Sequence, residues 1–580
     1  MRWLHKLLYK YLGAPTAHSA SLVLPPTRAT TARVGGPCFG AFFRSLLAPG
    51  AMKATTANET MAKEPMTAAS LKTTAPKSKL PLRSVVSNWA GLVVNGLLSF
   101  VLTPLLVHDL GDVYFAMWML VTSLLDSSWL LDFGMRTTVF RFVARYQGAK
   151  QRDDLDETFA SGFAFSLALA GVILLLSCAS LFILPSLFAI SGDAAGTFRG
   201  LLILSGASVA VSFCAQFLGT YLCAARRFDL YNLTSAGSGL VRALLIVAAL
   251  HMHHGVLFVA GMALASSLLS LVVSACLLRV ADPALSFHTC HITLARIRQL
   301  LGFSSSAFLG TAGDQLRFFV DSIVIGRVLT VALITPFNIA GRLVMLFRQL
   351  ALALASPFAG VMNELEGQQK QADLQKYFLL ATRLTSLLSV FISLMLLVNG
   401  GPLIRFWVGN AYSTSYGLLV VLLAGYCLML GQQPSVDLLL AKGSHRLRGW
   451  WTLAEGLANL GLSIYWGRSY GLIGIALGTA VPMIAIQVLV QPWYTLHIAA
   501  IPPRRYFKEG IGPPLLVAII FIAVCALAQP WRHSPDLAHF AFALAWQCTL
   551  LALLTATIGL SRGEWTRIFE RVRRLRSATS

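Results

Sequence analysis

The chain has 580 residues, of which 56% are hydrophobic and only 12% are charged, and its mean hydropathy is +0.69. Apolar runs of about 20 residues recur almost to the C-terminus, which excludes a soluble domain and indicates a polytopic helical membrane protein. The net charge of +22 does not indicate nucleic-acid binding, because the Lys and Arg residues lie mostly in the two tails and in alternate loops.

Residues 1–80 are rich in Ala, Thr, Pro, Lys and Arg and contain only two acidic residues. No run in this segment reaches membrane length, so the composition predicts a disordered, basic cytoplasmic tail. Its first twelve residues, MRWLHKLLYKYL, could form an amphipathic helix on anionic lipid. The acid-poor start also resembles an organelle transit peptide, and Met52 or Met61 could equally be the initiating residue.

About fourteen membrane spans are predicted, which gives an all-α polytopic fold. Six spans fall within the segment 81–281, six within 299–500 and two within 501–580, where a basic cytoplasmic tail also ends the chain. The predicted spans are 84–107, 113–133, 159–184, 200–223, 232–252, 256–279, 302–327, 331–358, 377–399, 415–440, 449–467, 471–497, 512–529 and 538–560.

Loop charge predicts the orientation of these spans. Loops assigned to the inside carry about eighteen Lys and Arg without the tails, and loops assigned to the outside carry about five. We therefore expect both termini to be cytoplasmic, in a cell inner membrane.

An internal repeat relates the first twelve spans. The segment AARRFDL at 224–230 matches AKGSHRL at 441–447 in its place between spans, and Gly239 matches Gly456 at the same shift of 217 residues. The repeat predicts two six-helix lobes in parallel orientation around a central cavity, plus two C-terminal helices.

The span at 302–327 carries three charges, Asp314, Arg317 and Asp321, on one predicted helical face. Charges at this depth usually face an aqueous cavity or pair with each other. Arg317 could therefore line a cavity for an anionic substrate, or it could form a structural ion pair with Asp314 or Asp321.

Other spans carry polar faces that could meet in the same cavity. A single face of this kind can also serve helix–helix hydrogen bonding. Arginine suits a phosphate because its planar group donates two hydrogen bonds and stays protonated. The candidate substrate-binding residues are Arg317, Arg242, Arg342, Asn88, Asn95, Asn338 and Gln349, with Arg348 turned away; the candidate coupling or structural carboxylates are Asp314, Asp321, Asp126 and Glu455, and Asp437 is a further intramembrane acid.

Signals of other classes of protein are weak. There is no nucleotide-binding loop, and the predicted outside loops are too short for the catalytic loop of a polymerase or glycosyltransferase. The nine cysteines form no CxxC pair, and the histidines have no second cluster at metal-ligand spacing. No cofactor and no metal site are expected.

The run from Asn88 to Tyr146 resembles the opening of bacterial polysaccharide-unit (O-antigen-unit) flippases of the multidrug/oligosaccharidyl-lipid/polysaccharide exporter superfamily. The resemblance rests on the Asn-containing first span that ends in Pro104, the Leu110–Gly111 turn and the LDFGM segment at 131–135. It covers about 81–500. The sequence departs from the family at Val328–Leu329–Thr330, where a Leu-Gly turn is usual.

The resemblance implies two six-helix lobes around a cationic cavity that moves polyprenyl-pyrophosphate-linked oligosaccharides from the inner to the outer leaflet, without enzymatic activity. Partners would be the lipid-linked oligosaccharide, membrane lipids and possible polymerase and glycosyltransferase partners, but no nucleic acid. The alternatives are a proton- or sodium-coupled multidrug exporter of the same superfamily, a membrane glycan polymerase or glycosyltransferase, and a non-transporting scaffold.

Overall fold

A computed structural model describes residues 82–225, 227–252, 255–285, 291–318, 320–527 and 537–559, and within these ranges the regular structure is entirely helical. The all-α fold is therefore confirmed. The predicted tail at 1–80 and the basic C-terminal tail lie outside the described residues.

The N-terminal lobe contains α1 (Leu82–Asp126), α2 (Met135–Ala149), α3 (Arg152–Leu187), α4 (Asp193–Ala224), α5 (Phe228–His251) and α6 (Val256–Ala281), with a 3₁₀ turn at Ser127–Asp132. The C-terminal lobe contains α7 (Leu294–Phe318), α8 (Val320–Val328), α9 (Ile334–Gly367), α10 (Gln371–Trp407), α11 (Thr414–Gly431), α12 (Gln433–Ala441), α13 (His445–Met483) and α14 (Gln491–Ala499). It also has 3₁₀ turns at Val331–Leu333 and Asn410–Tyr412 and a π-helical segment at Ile484–Val490. The remaining elements are α15 (Pro503–Tyr506), α16 (Gly512–Leu527) and α17 (Leu537–Leu554), with π-helical turns at Phe507–Ile511 and Thr555–Gly559.

Eleven segments of the described residues are long and apolar enough to cross a membrane. Two of the segments contain a glycine in the left-handed region, Gly111 (φ 72°) in α1 and Gly471 (φ 59°) in α13, where the helical path is interrupted. The charged segment formed by α7 and α8 is not among the eleven. The multi-pass fold is thus confirmed, whereas the count of about fourteen spans stays a prediction.

The predicted repeat is visible in the helix bounds. Adding 217 to the bounds of α3 gives 369–404, and α10 covers Gln371–Trp407; the same shift carries α4 onto α11 and α12 together. Within the lobes the packing also repeats, because α4 packs against α3 and α6 while α11 packs against α10 and α13. The order and packing of the helices therefore repeat, whereas the parallel orientation of two six-helix lobes stays a prediction.

The two lobes contact each other at the end that loop charge predicts to be outer. The Trp407 ring in α10 stacks on Phe100 in α1 with 4.6 Å between ring centroids, and its Nε1 donates to the Phe100 carbonyl oxygen at 2.8 Å. Thr335 at the start of α9 donates to the main-chain oxygen of Asp112, whose carboxylate also accepts from Tyr412. These contacts join α1 to the C-terminal lobe.

Ion pairs fix the linker between the lobes to the predicted cytoplasmic end of the N-terminal lobe. Arg152 donates both Nη atoms to the Asp282 carboxylate at 2.9 and 2.8 Å, and Tyr221 donates to it at 2.7 Å. Burial raises the pKa of Asp282, but the hydrogen bonds from Arg152 and Tyr221 outweigh this and hold the pKa below its ordinary value. At the start of α7, Arg296 pairs with Asp154 at 2.6 Å.

The last two membrane helices attach to one face of α10. An apolar cluster there joins α10 to α16 and α17 through Leu394, Phe521 and Leu551. Asn399 in α10 also donates to Gln547 in α17 at 2.6 Å, and both side chains are buried. The two C-terminal helices therefore lie beside the repeat and do not interrupt it.

Candidate functional site: a cavity between the two lobes

A cavity of about 620 Å³ lies between the lobes, with walls from α1, α4 and α5 on one side and α7, α8 and α9 on the other. Its size is within the range of about 300–1,000 Å³ that is usual for small-molecule sites. Six of the predicted site residues line it: Arg242, Arg317, Arg342, Asn338, Asp126 and Asp321.

Arg242 and Arg342 face the cavity from opposite lobes without a salt bridge. Arg342 donates to Ser99 Oγ at 3.2 Å and lies 3.6 Å from the Met119 sulfur, and Arg242 is exposed in the cavity. No ion pair joins either guanidinium to a carboxylate in the described part of the chain. Asp126 is a carboxylate that lines the same cavity. These two arginines therefore keep hydrogen-bond donors available to an anion.

Arg317 lies at the cavity wall but is held by two carboxylates. Its Nη1 donates to Glu455 Oε1 at 2.8 Å, and its Nη2 pairs with Asp314. The Arg317 residue is 5% exposed and Glu455 is 1% exposed, while Gln487 donates to the other Glu455 oxygen at 2.7 Å. The structural ion pair is thus present, with Asp314 as expected and with Glu455 in place of Asp321.

Two glycines bring Arg317 and Glu455 together. A Cβ atom on Gly313 of α7 would lie 2.3 Å from the main-chain carbon of Thr452 in α13, and a Cβ atom on Gly456 would lie 2.8 Å from the Gly313 oxygen. No real Cβ atom approaches this closely, so the backbones of α7 and α13 can meet only where both residues are glycine. Arg317 lies one turn after Gly313 and Glu455 directly precedes Gly456, so this close approach brings the two members of the ion pair together.

Asp321 is buried beside polar side chains, and within the described residues it forms no ion pair. Thr479 donates to Asp321 Oδ2 at 2.9 Å and lies 3.3 Å from the Asn459 oxygen, and Ser463 donates to that same Asn459 oxygen at 2.8 Å. Asn459 in turn donates to the main-chain oxygen of Arg317 at 3.2 Å. The polar face at Glu455, Asn459 and Ser463 therefore serves hydrogen bonding inside the C-terminal lobe.

The other predicted residues have different environments. Asn338 lines the cavity and donates to Ser322 at 3.2 Å, whereas Gln349 is exposed and does not line it. Arg348 is also absent from the lining, as expected, and Asp437 accepts from Gln433 at 3.1 Å away from the cavity. The side chains of Asn88 and Asn95 lie outside the described residues.

A polar face on α4 was missed by the sequence analysis. Ser205, Ser208, Ser212 and Gln216 all line the cavity, and Ser208 and Ser212 lie within hydrogen-bond distance of Ser267 at 2.9 and 3.1 Å. Their spacing of three and four residues was available in the sequence as a signal. The face contains no charged residue, so it resembled ordinary helix–helix hydrogen bonding.

Comparison with known proteins connects this architecture to a family. The family model described as polysaccharide biosynthesis protein matches residues 82–357. The chain is 22% identical over 450 residues to the uncharacterized membrane protein EpsK of Bacillus subtilis, and the match covers 76% of this chain and 88% of that protein.

Two solved structures share the fold. A structure of the lipid II flippase MurJ in an inward closed conformation has a TM-score of 0.63 at 14% identity, and the match covers 82% of this chain and 98% of that one. An inward-facing multidrug resistance MATE family transporter of the MOP superfamily has a TM-score of 0.58 at 16% identity, covering 71% and 98%. The family match over 82–357 and the helical fold shared with these structures show a multi-pass membrane protein that is similar to polysaccharide biosynthesis proteins.

Proposed function

We propose that the protein flips a polyprenyl-pyrophosphate-linked oligosaccharide from the inner to the outer leaflet during surface polysaccharide biosynthesis. The observation that carries this proposal is the pair Arg242 and Arg342, which face one cavity from the two lobes and form no ion pair with a carboxylate of the described residues. A pyrophosphate group offers enough oxygens to accept from both guanidinium groups at once. It would thereby connect the two lobes.

The remaining polar lining is neutral and suits sugar hydroxyls. Asn338 and the serines of α4 can each donate and accept hydrogen bonds, as hydroxyl-rich ligands require. Asn88 and Asn95 remain candidates for the same role from the first span. Arg317 is assigned a different task, because Glu455 and Asp314 occupy its donors; it positions the cavity wall, and its neighbours Asp314 and Glu455 are structural.

Charge disfavours the multidrug exporter as the alternative. A cavity for cationic drugs would be expected to be rich in carboxylates, but here Arg242 and Arg342 line the cavity with Asp126, and the second lining carboxylate, Asp321, is buried beside Thr479. Polymerases and glycosyltransferases enter the proposal only as partners that use or supply the lipid-linked oligosaccharide.

The proposal is tested by replacing the two cavity arginines in cells that depend on this protein for glycan export. Arg342→Gln and Arg242→Gln should each lower export by about ten- to a hundredfold, the effect of losing one hydrogen bond to a charged group. Arg342→Lys should retain part of the activity because it keeps the positive charge.

Membrane abundance is measured in the same cells, so that a loss of export can be separated from a loss of protein. Both side chains line the cavity, so neither substitution should lower abundance. The matched control is Arg405→Gln, an exposed arginine at the end of α10 outside the cavity lining, which should export at the wild-type rate. Export at the wild-type rate by Arg242→Gln combined with Arg342→Gln would contradict the proposal.

A further inference from the structure

A second groove lies on the C-terminal lobe, apart from the central cavity. It is about 430 Å³ in volume and is formed by α8 and the first half of α13. Its apolar wall contains Val320, Ile323, Val324, Val328, Leu460 and Ile464, and its polar lining consists of Arg327 and Arg468. No residue is shared between this lining and that of the central cavity.

The two arginines lie at helix ends that loop charge assigns to the outside. Lys and Arg are scarce on this side, where the predicted set is Arg199, Arg327, Arg405, Arg468 and Arg532. The fold brings Arg327 and Arg468 to one groove although 141 positions separate them in the sequence. Two arginines in one groove on the predicted outer side, where Lys and Arg are scarce, suggest a ligand that binds there.

Neither guanidinium is neutralised by the protein. Arg327 and Arg468 are both exposed, and within the described ranges neither forms an ion pair or a side-chain hydrogen bond. Tyr465 and Tyr470, 69% and 66% exposed, lie beside Arg468 in the chain, and exposed tyrosines of this kind are typical of the membrane–water interface. The groove therefore combines an apolar wall at membrane depth with two positive charges at headgroup depth.

We infer that this groove binds an anionic phospholipid of the predicted outer leaflet, with its phosphate at Arg327 and Arg468 and one acyl chain along Leu460 and Ile464. Charge complementarity selects this occupant, because the described lining of the groove contains two arginines and no carboxylate. A zwitterionic phospholipid carries a cationic group beside its phosphate, and that group would be repelled by the two arginines. A planar guanidinium donates two parallel hydrogen bonds to a phosphate, which gives the site its orientation.

The test is native mass spectrometry of the full chain purified in detergent and titrated with phosphatidylglycerol or with phosphatidylcholine. The wild-type protein should retain phosphatidylglycerol selectively. Arg327→Gln combined with Arg468→Gln should weaken phosphatidylglycerol binding by about thirtyfold, from the loss of two basic residues near an anionic headgroup. A charge-matched control is Arg199→Gln combined with Arg405→Gln, since both residues are exposed and neither lines the groove.

A second variant tests the apolar half of the site. Ile464→Trp should fill the groove and reduce phosphatidylglycerol binding while leaving both arginines in place. A single symmetrical peak in size-exclusion chromatography confirms that each variant is folded. Equal retention of the two lipids, wild-type binding by the Arg327/Arg468 variant, or full competition by inorganic phosphate would overturn the proposal.

Discussion

Arginine side chains that line the same cavity differ in the carboxylates around them. Arg317 is almost fully buried between Glu455 and Asp314, whereas Arg342 contacts a serine hydroxyl and a methionine sulfur. A buried charge without a partner is strongly unfavourable, so Arg317 and Glu455 stabilise each other chiefly by preventing that state. A guanidinium that borders a hydrated cavity has no such requirement and can exchange water for a ligand.

Arg317→Gln should therefore act on stability. It leaves Glu455 as a buried carboxylate without its cation, which costs about 3–5 kcal/mol and should reduce membrane abundance and the thermal midpoint of the purified protein. Adding Glu455→Gln should restore both, because Gln487 can still hydrogen-bond the new amide. Asp314→Asn alone should have a smaller effect, since the Asp314 side chain is 39% exposed. Normal abundance of Arg317→Gln would show that the pair has no structural role.

Helix α7 illustrates how far a sequence pattern can specify a site. The charges at 314, 317 and 321 were predicted to share a face; in the structure Arg317 and Asp321 line the cavity and contact α13, whereas Asp314 pairs with Arg317. The sequence could not identify Glu455 as the partner of Arg317, because a periodic pattern specifies a face of one helix and not the helix opposite. The partner of Arg317 is determined by Gly313 and Gly456, because their contact sets the register of α7 on α13.

Substitution of these glycines tests that register. Gly313→Val should separate α7 from α13, because its side chain would overlap the Thr452 backbone, and abundance should fall. Gly310→Val is the matched control, since a Cβ atom there meets nothing within 4 Å. If both variants accumulate equally, the close approach of α7 and α13 is not required for folding.

The contact of α1 with α10 should control opening at the predicted outer end. Trp407→Ala removes both the stacking on Phe100 and the hydrogen bond to its carbonyl oxygen, losses of up to about 3–5 kcal/mol for a large aromatic residue. We expect a shift towards a state open to the outside, read as faster labelling of Leu98→Cys by an impermeant maleimide in a protein without its nine native cysteines. Phe406→Ala, which removes a ring packed on Phe540, should leave the labelling rate unchanged. Unchanged labelling of Trp407→Ala would rule out a gating role.

At the scale of the whole molecule, sequence patterns predicted more of the fold than of the site. Apolar runs, alternating loop charge and the shift of 217 residues predicted the helical class and both lobes, because each follows from membrane thickness, topology or duplication. The cavity depends on which polar faces meet between lobes, and that depends on packing. The face at Ser205 to Gln216 lines the cavity, whereas the equally regular face at Glu455 to Ser463 does not.

The predicted orientation can be examined by cysteine labelling in intact cells. A cysteine at His253 should react with an impermeant reagent from outside, and one at Ser444, in the loop that contains Lys442, should not. Lysed cells should label at both positions, which controls for reactivity. Labelling at Ser444 but not at His253 in intact cells would contradict the predicted orientation, and with it the proposed direction of transport.

The most direct measurement of the central claim is flipping in liposomes that contain the purified protein. A fluorescent polyprenyl-pyrophosphate-linked disaccharide is placed in both leaflets, and loss of signal to an impermeant quencher reports movement of the inner-leaflet pool. We predict complete quenching with the wild-type protein, about half with empty liposomes, and slow quenching with Arg242→Gln combined with Arg342→Gln. Quenching at the empty-liposome level for the wild-type protein, together with efflux of a cationic dye from the same liposomes, would contradict the account and favour the multidrug exporter.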